Sequence, residues 1–344
     1  MSAPGGERAS LRYGIVLDWV YDASVSPVQQ MAEHERLVRM ADELGFDVVF
    51  SGQHFLPVGL RFYQPVPYLA RLSAIAPRMR VGTGIMLLPL LHPIDAAEQI
   101  ATLDVVTQGK VVFGVGLGYT SAEFEAFGIP RRERAGRMEE SISVIRKLWR
   151  GEPFSHRGRY FSFEAPEVTV RPLQQPHPPI WVAGQSVPAV RRAARLGDTW
   201  YPPPMLSHRE LRDLHDLHLA ERERLGRGAP EAVPVRRDLY LASSARAAED
   251  AIGPYALGRT RTYLAWGMAE DEASRASLSL DERAGLGERF LLGEPQAVAD
   301  QLLDLRERMG MTHFVLRLQW PGMPFSETLE QLSLFGEKVM ELVR

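Results

Sequence analysis

Short, almost purely apolar runs alternate with amphipathic segments along most of the chain from residue 11 onward. Runs that show no polar alternation are typical of parallel strands whose two faces are both covered by helices. The pattern predicts eight strands, at residues 13–18, 47–51, 80–87, 110–116, 179–183, 198–201, 235–241 and 312–318. Eight strand–helix units close most naturally into a (β/α)8 TIM barrel, so we favour this α/β fold over an open doubly wound sheet.

Between these strands, apolar residues recur at the spacing of one helix face. Residues 28–44 form one such segment, and Gly45 after it is a typical C-terminal capping residue. The same pattern predicts helices over residues 94–107, 134–149, 189–196 and 296–309. His92 and Pro93 precede the first of these four segments, and we expect them to start that helix.

Two regions interrupt the alternation of strands and helices. Residues 153–179 are rich in aromatic residues and proline, which predicts a short β excursion. Residues 255–292 carry mixed charges and few periodic apolar positions. Long irregular segments of compact domains are often lids or partly disordered, and we interpret residues 255–292 as a candidate lid, with partial disorder as the alternative. Residues 1–10 predict a disordered tail before a single domain at 11–344.

The composition argues against several classes of function. The 344 residues have a formal net charge of −3 and contain no run of Lys or Arg, so nucleic acid is not expected as a partner. The chain has no cysteine, which excludes disulfides, thiolate metal sites and cysteine nucleophiles. It shows neither a secretory signal nor a long uncharged apolar stretch, so we expect a cytoplasmic protein that does not enter a membrane.

We expect the chemistry at the carboxyl ends of the strands, where barrel enzymes carry their active sites. These ends combine aromatic, neutral polar and glycine residues, without paired carboxylates or metal-spaced histidines, so neither hydrolysis nor metal chemistry is expected. An aromatic mouth with exposed backbone amides suits a flat cofactor that carries a phosphate. Ser186 predicts a helix start that could hold this phosphate; alternatively, Gly184 and Ser186 merely turn the chain.

Other residues at these strand ends also allow two interpretations. His54 is either a proton donor at the site or a structural histidine. Trp200 and Trp320 are candidates both for the wall of the site and for the core. The triplet Gly114-x-Gly116-x-Gly118 lacks the spacing of the dinucleotide-binding fingerprint, so it does not identify a cofactor by itself.

Several motifs in a fixed order together resemble the bacterial luciferase-like monooxygenase superfamily, whose members are barrels that use reduced flavin or the related deazaflavin. The motifs are Gly45-Phe46-Asp47-x-Val49, Gln53-His54-Phe55, Val81-Gly82-Thr83-Gly84-Ile85, His92-Pro93, Gly109-Lys110-Val111, Gly114-x-Gly116-x-Gly118 and Pro179-Ile180-Trp181-Val182-Ala183-Gly184. The resemblance covers residues 11–200 and returns at residues 294–318.

The resemblance implies that the flavin ring lies across the third strand near Gly84 and Ile85, where the family often has a non-prolyl cis peptide bond. The cofactor-binding residues that it implies are Thr83, Gly84, Ile85, Gly116, Gly118, Tyr119, Gly184, Gln185 and Ser186. Gln53 and His54 would be the catalytic residues. The substrate pocket would be lined by Asp18, Tyr21, Phe55, Trp200 and Trp320.

We therefore expect a monooxygenase that oxidises a small apolar or carbonyl-bearing substrate with oxygen and reduced FMN, through a C4a-(hydro)peroxide. A separate flavin reductase would supply the reduced FMN, and the family's tendency to dimerise implies a homodimer. One alternative is an oxidoreductase that transfers hydride with coenzyme F-420; another is a non-catalytic flavin-binding protein. Two positions depart from bacterial luciferase, because Gln53 replaces its catalytic histidine and Leu117 replaces an arginine that contacts the phosphate.

Overall fold

The computed structural model describes residues 10–17, 25–57, 60–165, 167–265 and 286–343, with backbone only at residues 257 and 259–265. In these ranges the strands are β1 (Arg12–Leu17), β2 (Val48–Ser51), β3 (Arg80–Thr83), β4 (Met86–Leu87), β5 (Val111–Gly116), β6 (Phe154–Arg157), β7 (Ser162–Ala165), β8 (Ile180–Ala183), β9 (Thr199–Tyr201), β10 (Pro234–Leu241), β11 (Leu291–Gly293) and β12 (His313–Arg317).

The main sheet is parallel and curls into a barrel. Its strands follow the order β11-β10-β12-β1-β2-β3-β5-β8-β9, and β4 pairs with β5. β9 at one end of this order lies beside β10 near the other end. The hydroxyl of Thr199 also donates to the carbonyl oxygen of Ala232 at 2.6 Å, just before β10 begins. The predicted TIM barrel is confirmed.

Helices surround the barrel. They are α1 (Pro27–Leu44), α2 (Pro65–Ile75), α3 (Pro93–Val106), α4 (Ser121–Ala126), α5 (Arg134–Arg150), α6 (Val187–Leu196), α7 (His208–Arg224), α8 (Ala245–Ala265), α9 (Leu286–Arg289), α10 (Pro295–Met309), α11 (Phe325–Leu334) and α12 (Met340–Val343). Short 3-10 turns lie at Leu88–Leu90 and Arg131–Glu133, and a π turn joins α11 to α12 at Phe335–Val339.

All five helices that the apolar spacing predicts are present, with ends within two residues of the predicted ones. Gly45 ends α1 in the left-handed conformation with φ 86°, which glycine adopts without a steric penalty. His92 starts α3 as predicted, because its Nδ1 accepts the N–H of Ile94 at 3.3 Å.

Each of the eight predicted strands is present, but two details differ from the prediction. The run at 80–87 is interrupted between β3 and β4, where the peptide bond from Gly84 to Ile85 is cis. A further parallel strand, β11, pairs with the end of β10. The predicted β excursion at 153–179 contains the antiparallel hairpin of β6 and β7.

The region interpreted as a lid begins inside α8 and ends in α9 and β11. Its centre, residues 266–285, lies outside the described residues, as do residues 1–9 of the predicted tail. The lid and the tail therefore stay predictions. In the part of the chain that the structure describes, every helix is too short or too polar to cross a membrane.

Side chains alternate between the barrel interior and the helix layer, as they do along any strand. The interior cluster contains Val16, Val48, Phe50, Val112, Trp181, Tyr201 and Val315. Their neighbours along the same strands belong to the larger outer core, which packs against the helices. Inside, the ring of Phe50 lies 5.4 Å from that of Trp181 and 5.5 Å from that of Tyr201, measured between centroids. The barrel therefore has a packed aromatic floor.

Candidate active site

His54 lies directly after β2 and is held by a carboxylate from another loop. Its Nδ1 lies 3.0 Å from Oε1 of Glu123, on α4. The same oxygen accepts the N–H of Phe55 at 2.7 Å. Glu123 is only 2% exposed, whereas the side chain of His54 keeps 15% of its surface accessible. The arrangement is thus a buried carboxylate behind an accessible imidazole.

Two aromatic residues flank the imidazole of His54. The hydroxyl of Tyr119 lies 3.5 Å from Nε2, and the ring of Phe62 stands nearly perpendicular to the imidazole with centroids 4.8 Å apart. The two ring nitrogens therefore face different partners, with Glu123 at Nδ1 and Tyr119 at Nε2. Hydrogen-bond networks of this type are able to hold an imidazole in one tautomer.

Gln53 is engaged at both ends of its amide. Its Oε1 accepts the N–H of Leu87 at 2.9 Å, and its Nε2 donates to Oε1 of Gln64 at 2.8 Å. Gln64 in turn donates to the carbonyl oxygen of His54 at 3.3 Å. Gln53 is 6% exposed, so the geometry gives it a structural role, in which it joins the loop after β2 to β4 and supports the backbone of His54.

Glycine is required at two positions of β5 and at one position just after it. A Cβ on Gly114 would lie 2.0 Å from the carbonyl oxygen of Thr83, and one on Gly116 would lie 2.5 Å from Cδ1 of Ile85. Gly118 has φ +73°, a conformation that side chains disfavour. Gly114 and Gly116 therefore let the segment between β3 and β4 lie close against β5.

Thr83, predicted to bind the cofactor, is fully buried, and its hydroxyl donates to the carbonyl oxygen of Gly114 at 2.7 Å. Gly84 and Ile85 lie on the interior side, where Gly84 lies against the side chain of Phe50 and Ile85 joins the interior cluster. Of the three predicted residues, Gly84 and Ile85 are therefore placed to contact a ligand directly. Thr83 supports the segment between β3 and β4 from behind.

A positively charged cavity of about 660 Å³ lies between the loops after β5 and β8. Its lining residues are Leu117, Arg131, Arg132, Arg134, Ala135, Ser186, Pro188, Ala189 and Arg192. None of these described lining residues is acidic. The structure thus brings the predicted phosphate loops together and adds arginines from the start of α5 and from α6.

The start of α6 offers hydrogen-bond donors to this cavity. Ser186 occupies the N-cap position, yet its side chain makes no capping hydrogen bond. The amides of a first helical turn have no partner within the helix and attract anions. Gly184 is required here because a Cβ would lie 2.3 Å from that of Ala189. Gln185, which lies between Gly184 and Ser186 in the chain, is half-buried.

Trp200 does not line the barrel interior. It is 3% exposed, belongs to the outer core, and donates its indole N–H to the carbonyl oxygen of Gly184 at 2.8 Å. Its neighbour Tyr201 points inward instead. The expected wall residue is therefore a support for the loop at Gly184. His218 packs against its ring, and burial lowers the pKa of this histidine to about 3.

Trp320 is 1% exposed and belongs to a separate cluster with Tyr240, Phe290 and Leu292, against α8. Burial and the hydrogen bond that Tyr240 donates to Glu327 raise the pKa of this phenol, so it stays protonated at neutral pH.

Phe55 lies near the site, with its ring 4.6 Å from that of Phe127.

Asp18 and Tyr21, the remaining predicted pocket residues, lie outside the described residues. Their place in the substrate pocket stays a prediction.

A buried ion pair lies on the interior faces of β10 and β12. Nε of Arg317 is 3.6 Å from Oδ1 of Asp238, and both side chains are at most 3% exposed. Arg236 is also buried on β10.

In the described part of the chain, no three His, Asp or Glu residues come close enough together to hold a metal ion.

Two groups of site residues were not predicted from the sequence. Glu123 is 69 residues from His54 in the chain, and only its position shortly after the glycine triplet pointed to the site. The arginines Arg131, Arg132, Arg134 and Arg192 were also missed. Three of these arginines fall within four residues at the start of α5, and this spacing was a signal, because a helix start is an unusual place for several positive charges.

The sequence profile of the luciferase-like monooxygenase family matches residues 11–313. The oxygenase component of flavin-dependent trigonelline monooxygenase from Acinetobacter baylyi is 27% identical over 322 residues, covering 88% of this chain and 87% of that protein. An F-420-dependent glucose-6-phosphate dehydrogenase from Beutenbergia cavernae is 30% identical over 241 residues, covering 68% and 69%. The crystal structure of the monooxygenase RslO1 from Streptomyces bottropensis superposes with a TM-score of 0.84 at 27% identity, covering 96% and 99%.

The chain therefore belongs to the luciferase-like monooxygenase family, as its motifs indicate. The related proteins include flavin-dependent monooxygenases and F-420-dependent oxidoreductases, so the class of enzyme is an oxidoreductase that uses a flavin or deazaflavin.

Proposed function

We propose that this chain is the oxygenase component of a two-component monooxygenase that uses reduced FMN and acts on a small apolar or carbonyl-bearing substrate. The observation that carries the proposal is an arginine-lined cavity at Leu117 and Ser186, on the loops after β5 and β8, whose strands also carry Val112 and Trp181 of the partly aromatic interior cluster. A phosphate and a flat ring system would each find a matching surface there.

The residues present fit a flavin phosphate. The Ser186 hydroxyl is not used as a cap, and Arg132 and Arg134 reach the same cavity. Leu117 stands where bacterial luciferase has an arginine, and the guanidinium groups from α5 and α6 would replace that arginine. Arg192 is held in place by Glu139, whose Oε1 accepts from its Nε at 2.8 Å.

Reduced FMN, when bound, would supply two electrons and two protons, so that one atom of O2 enters the substrate and the other leaves as water. The chain would hold the phosphate at Ser186 and the arginines. His54 would exchange a proton with the reacting groups. The packed side chains around Phe50 in the barrel interior would exclude water from that side of the site. A separate flavin reductase would deliver the reduced cofactor, and its use is supported by the oxygenase component among the relatives.

A second candidate, hydride transfer with coenzyme F-420, is favoured by the size and charge of the cavity. A volume of about 660 Å³ is in the range of whole small-molecule sites, about 300–1,000 Å³. Four arginines also exceed what one phosphate monoester requires. The phosphodiester and glutamate tail of F-420 would occupy such a cavity more fully. One relative is an F-420-dependent dehydrogenase.

Titration of the purified protein with FMN and with F-420, oxidised and reduced, followed by fluorescence, separates the two candidates. We expect FMN to bind at micromolar concentration and riboflavin, which lacks the phosphate, to bind much more weakly. Tight binding of F-420 with no binding of FMN would instead establish the second candidate. Binding of neither cofactor would refute both.

The arginines are tested by replacing Arg132 and Arg134 with glutamine. Loss of one charge-assisted hydrogen bond of about 1.5–3 kcal/mol weakens binding roughly tenfold or more. We expect the Kd of FMN to rise by that factor and the Kd of riboflavin to stay unchanged. Arg150→Gln is the matched control, because Arg150 lies exposed at the other end of α5, about 24 Å away along the helix axis.

A further inference from the structure

Glu123 reaches the candidate active site from a helix that follows a different strand. It lies on α4 after β5, whereas His54 follows β2. The carboxyl group is buried, with only 2% of the residue exposed. Its Oε1 meets both the N–H of Phe55 and the Nδ1 of His54, at 2.7 and 3.0 Å. Oε2 has no hydrogen-bond partner among the described residues.

The direction of the hydrogen bond between His54 and Glu123 follows from the chemistry of a carboxylate. An ionised carboxylate only accepts hydrogen bonds, as Oε1 of Glu123 does from the N–H of Phe55. Nδ1 of His54 then donates its hydrogen to the same oxygen. A neutral imidazole that carries hydrogen on Nδ1 presents a lone pair at Nε2.

The lone pair at Nε2 lies on the side of the ring where chemistry is expected. Nε2 is 3.5 Å from the hydroxyl of Tyr119, in the loop that also leads into the arginine cavity. Such distances are often long before a ligand is bound and shorten in the complex. In water a neutral imidazole prefers hydrogen on Nε2, so the protein must actively hold the opposite form.

We propose that Glu123 is a positioning residue that fixes His54 in the Nδ1–H tautomer and makes Nε2 the proton acceptor of the active site. When a reacting group releases a proton, a new N–H bond forms at Nε2, the imidazole becomes an imidazolium, and the hydrogen on Nδ1 stays bonded to Glu123. The role of His54 in turnover rests on the proposed function; the tautomer does not.

Two substitutions separate the hydrogen bond from the charge. Glu123→Gln keeps an acceptor oxygen, and the fixed N–H of Phe55 orients that oxygen as in the carboxylate, so we expect the tautomer to be retained. Glu123→Ala removes the acceptor, so we expect the ring to revert mainly to Nε2–H. Glu125→Gln, an exposed position on the same helix, is the matched control and should change nothing.

The tautomer is measured from the 15N chemical shifts of the imidazole nitrogens in the full chain without cofactor. The chain has nine histidines, and the signals of His54 are assigned by their loss in His54→Gln. Nδ1–H in the natural protein, retained in Glu123→Gln and lost in Glu123→Ala, supports the proposal. Nε2–H in the natural protein overturns it, and so does a tautomer that survives in a folded Glu123→Ala variant.

The measurement on the natural protein is decisive even where Glu123→Ala fails to fold. It also needs no flavin, so its outcome is separate from that of the cofactor titration. Failure of FMN binding with the Nδ1–H tautomer present would refute the proposed function and leave the role of Glu123 intact.

Discussion

The indole N–H of Trp200 donates to the carbonyl oxygen of Gly184 at 2.8 Å, so a side chain in the helix layer fixes a loop of the candidate cofactor site. The contact crosses from β9 to the end of β8. It couples the outer core to the cavity that Ser186 lines.

Trp200→Phe should therefore weaken both the fold and the binding of FMN. A lost hydrogen bond and a smaller buried ring cost about 1–3 kcal/mol of unfolding free energy, measured by urea denaturation. The Kd of FMN should rise several-fold because the loop at Gly184 is released. Trp149→Phe is the matched control. The indole N–H of Trp149 also donates to a carbonyl oxygen, that of Ala97, at 3.0 Å, but this hydrogen bond does not involve a residue that lines the cavity. Equal effects of both variants on the Kd would contradict the coupling.

The same substitution should have opposite effects at two glycines. Gly184→Ala places a Cβ 2.3 Å from that of Ala189, so the start of α6 must shift, and we expect lower stability and weaker FMN binding. A Cβ on Gly258, in α8, would meet no atom within 4 Å apart from its chain neighbours, so Gly258→Ala should stabilise the protein by about 0.5–1 kcal/mol, because alanine is the better helix former. Thermal unfolding measures both variants, and a loss of stability in Gly258→Ala would show that the site lacks the expected room.

Asp104 joins α3 to the segment before β8. Its buried carboxylate accepts the N–H groups of Leu173 and Gln174 at 2.8 and 2.9 Å, and the side-chain amide of Gln174 at 2.6 Å. Asp104→Ala leaves these donors without their acceptor, so we expect the unfolding free energy to fall by about 3–5 kcal/mol. The exposed Asp300 serves as control, and Asp300→Ala should change the same quantity by at most about 0.5 kcal/mol.

Glu140 makes the hairpin of β6 and β7 sensitive to acid. Burial tends to raise its pKa, but hydrogen bonds from His156 and from the amides of Phe161 and Tyr160 outweigh burial and leave the pKa below the usual 4.5. A lowered carboxyl pKa contributes stability above the usual value, and this contribution is lost as the pH falls through the lowered one.

We therefore expect Glu140→Gln to destabilise the protein at neutral pH and the difference from the natural chain to shrink below pH 4.5. Urea denaturation across this range measures it. Glu152→Gln, at an exposed position nearby, should show no such trend. A difference that grows in acid would reverse the assigned sign.

Much of the fold could be predicted because its signals are local. Each barrel strand is an apolar run, and left-handed glycines such as Gly45 and Gly310 end their helices where the apolar spacing stops. β11 escaped prediction because three residues carry no periodicity of their own. It forms only because β10 extends far enough to pair with it.

The candidate site was harder to predict because its key contacts join distant parts of the chain. His54 stood out in the sequence, but its partner Glu123 is recognisable only once β2 and β5 are neighbours of β3 in the barrel. The orientation of Trp200 could not be predicted either, because β9 has large side chains facing both ways. The catalytic role predicted for Gln53 stays a prediction, whereas its two hydrogen bonds, to Leu87 and to Gln64, could be recognised only in the fold.

The engagement of Gln53 limits how this enzyme can be altered. Exchanging Gln53 for the histidine of bacterial luciferase would remove an amide that bonds in two directions, to Leu87 and to Gln64. An imidazole could not replace both bonds at the same distances. A reactive side chain introduced at this position would therefore stand on a loop that had lost the hydrogen bonds that hold it in place. New reactivity here requires several simultaneous substitutions rather than one.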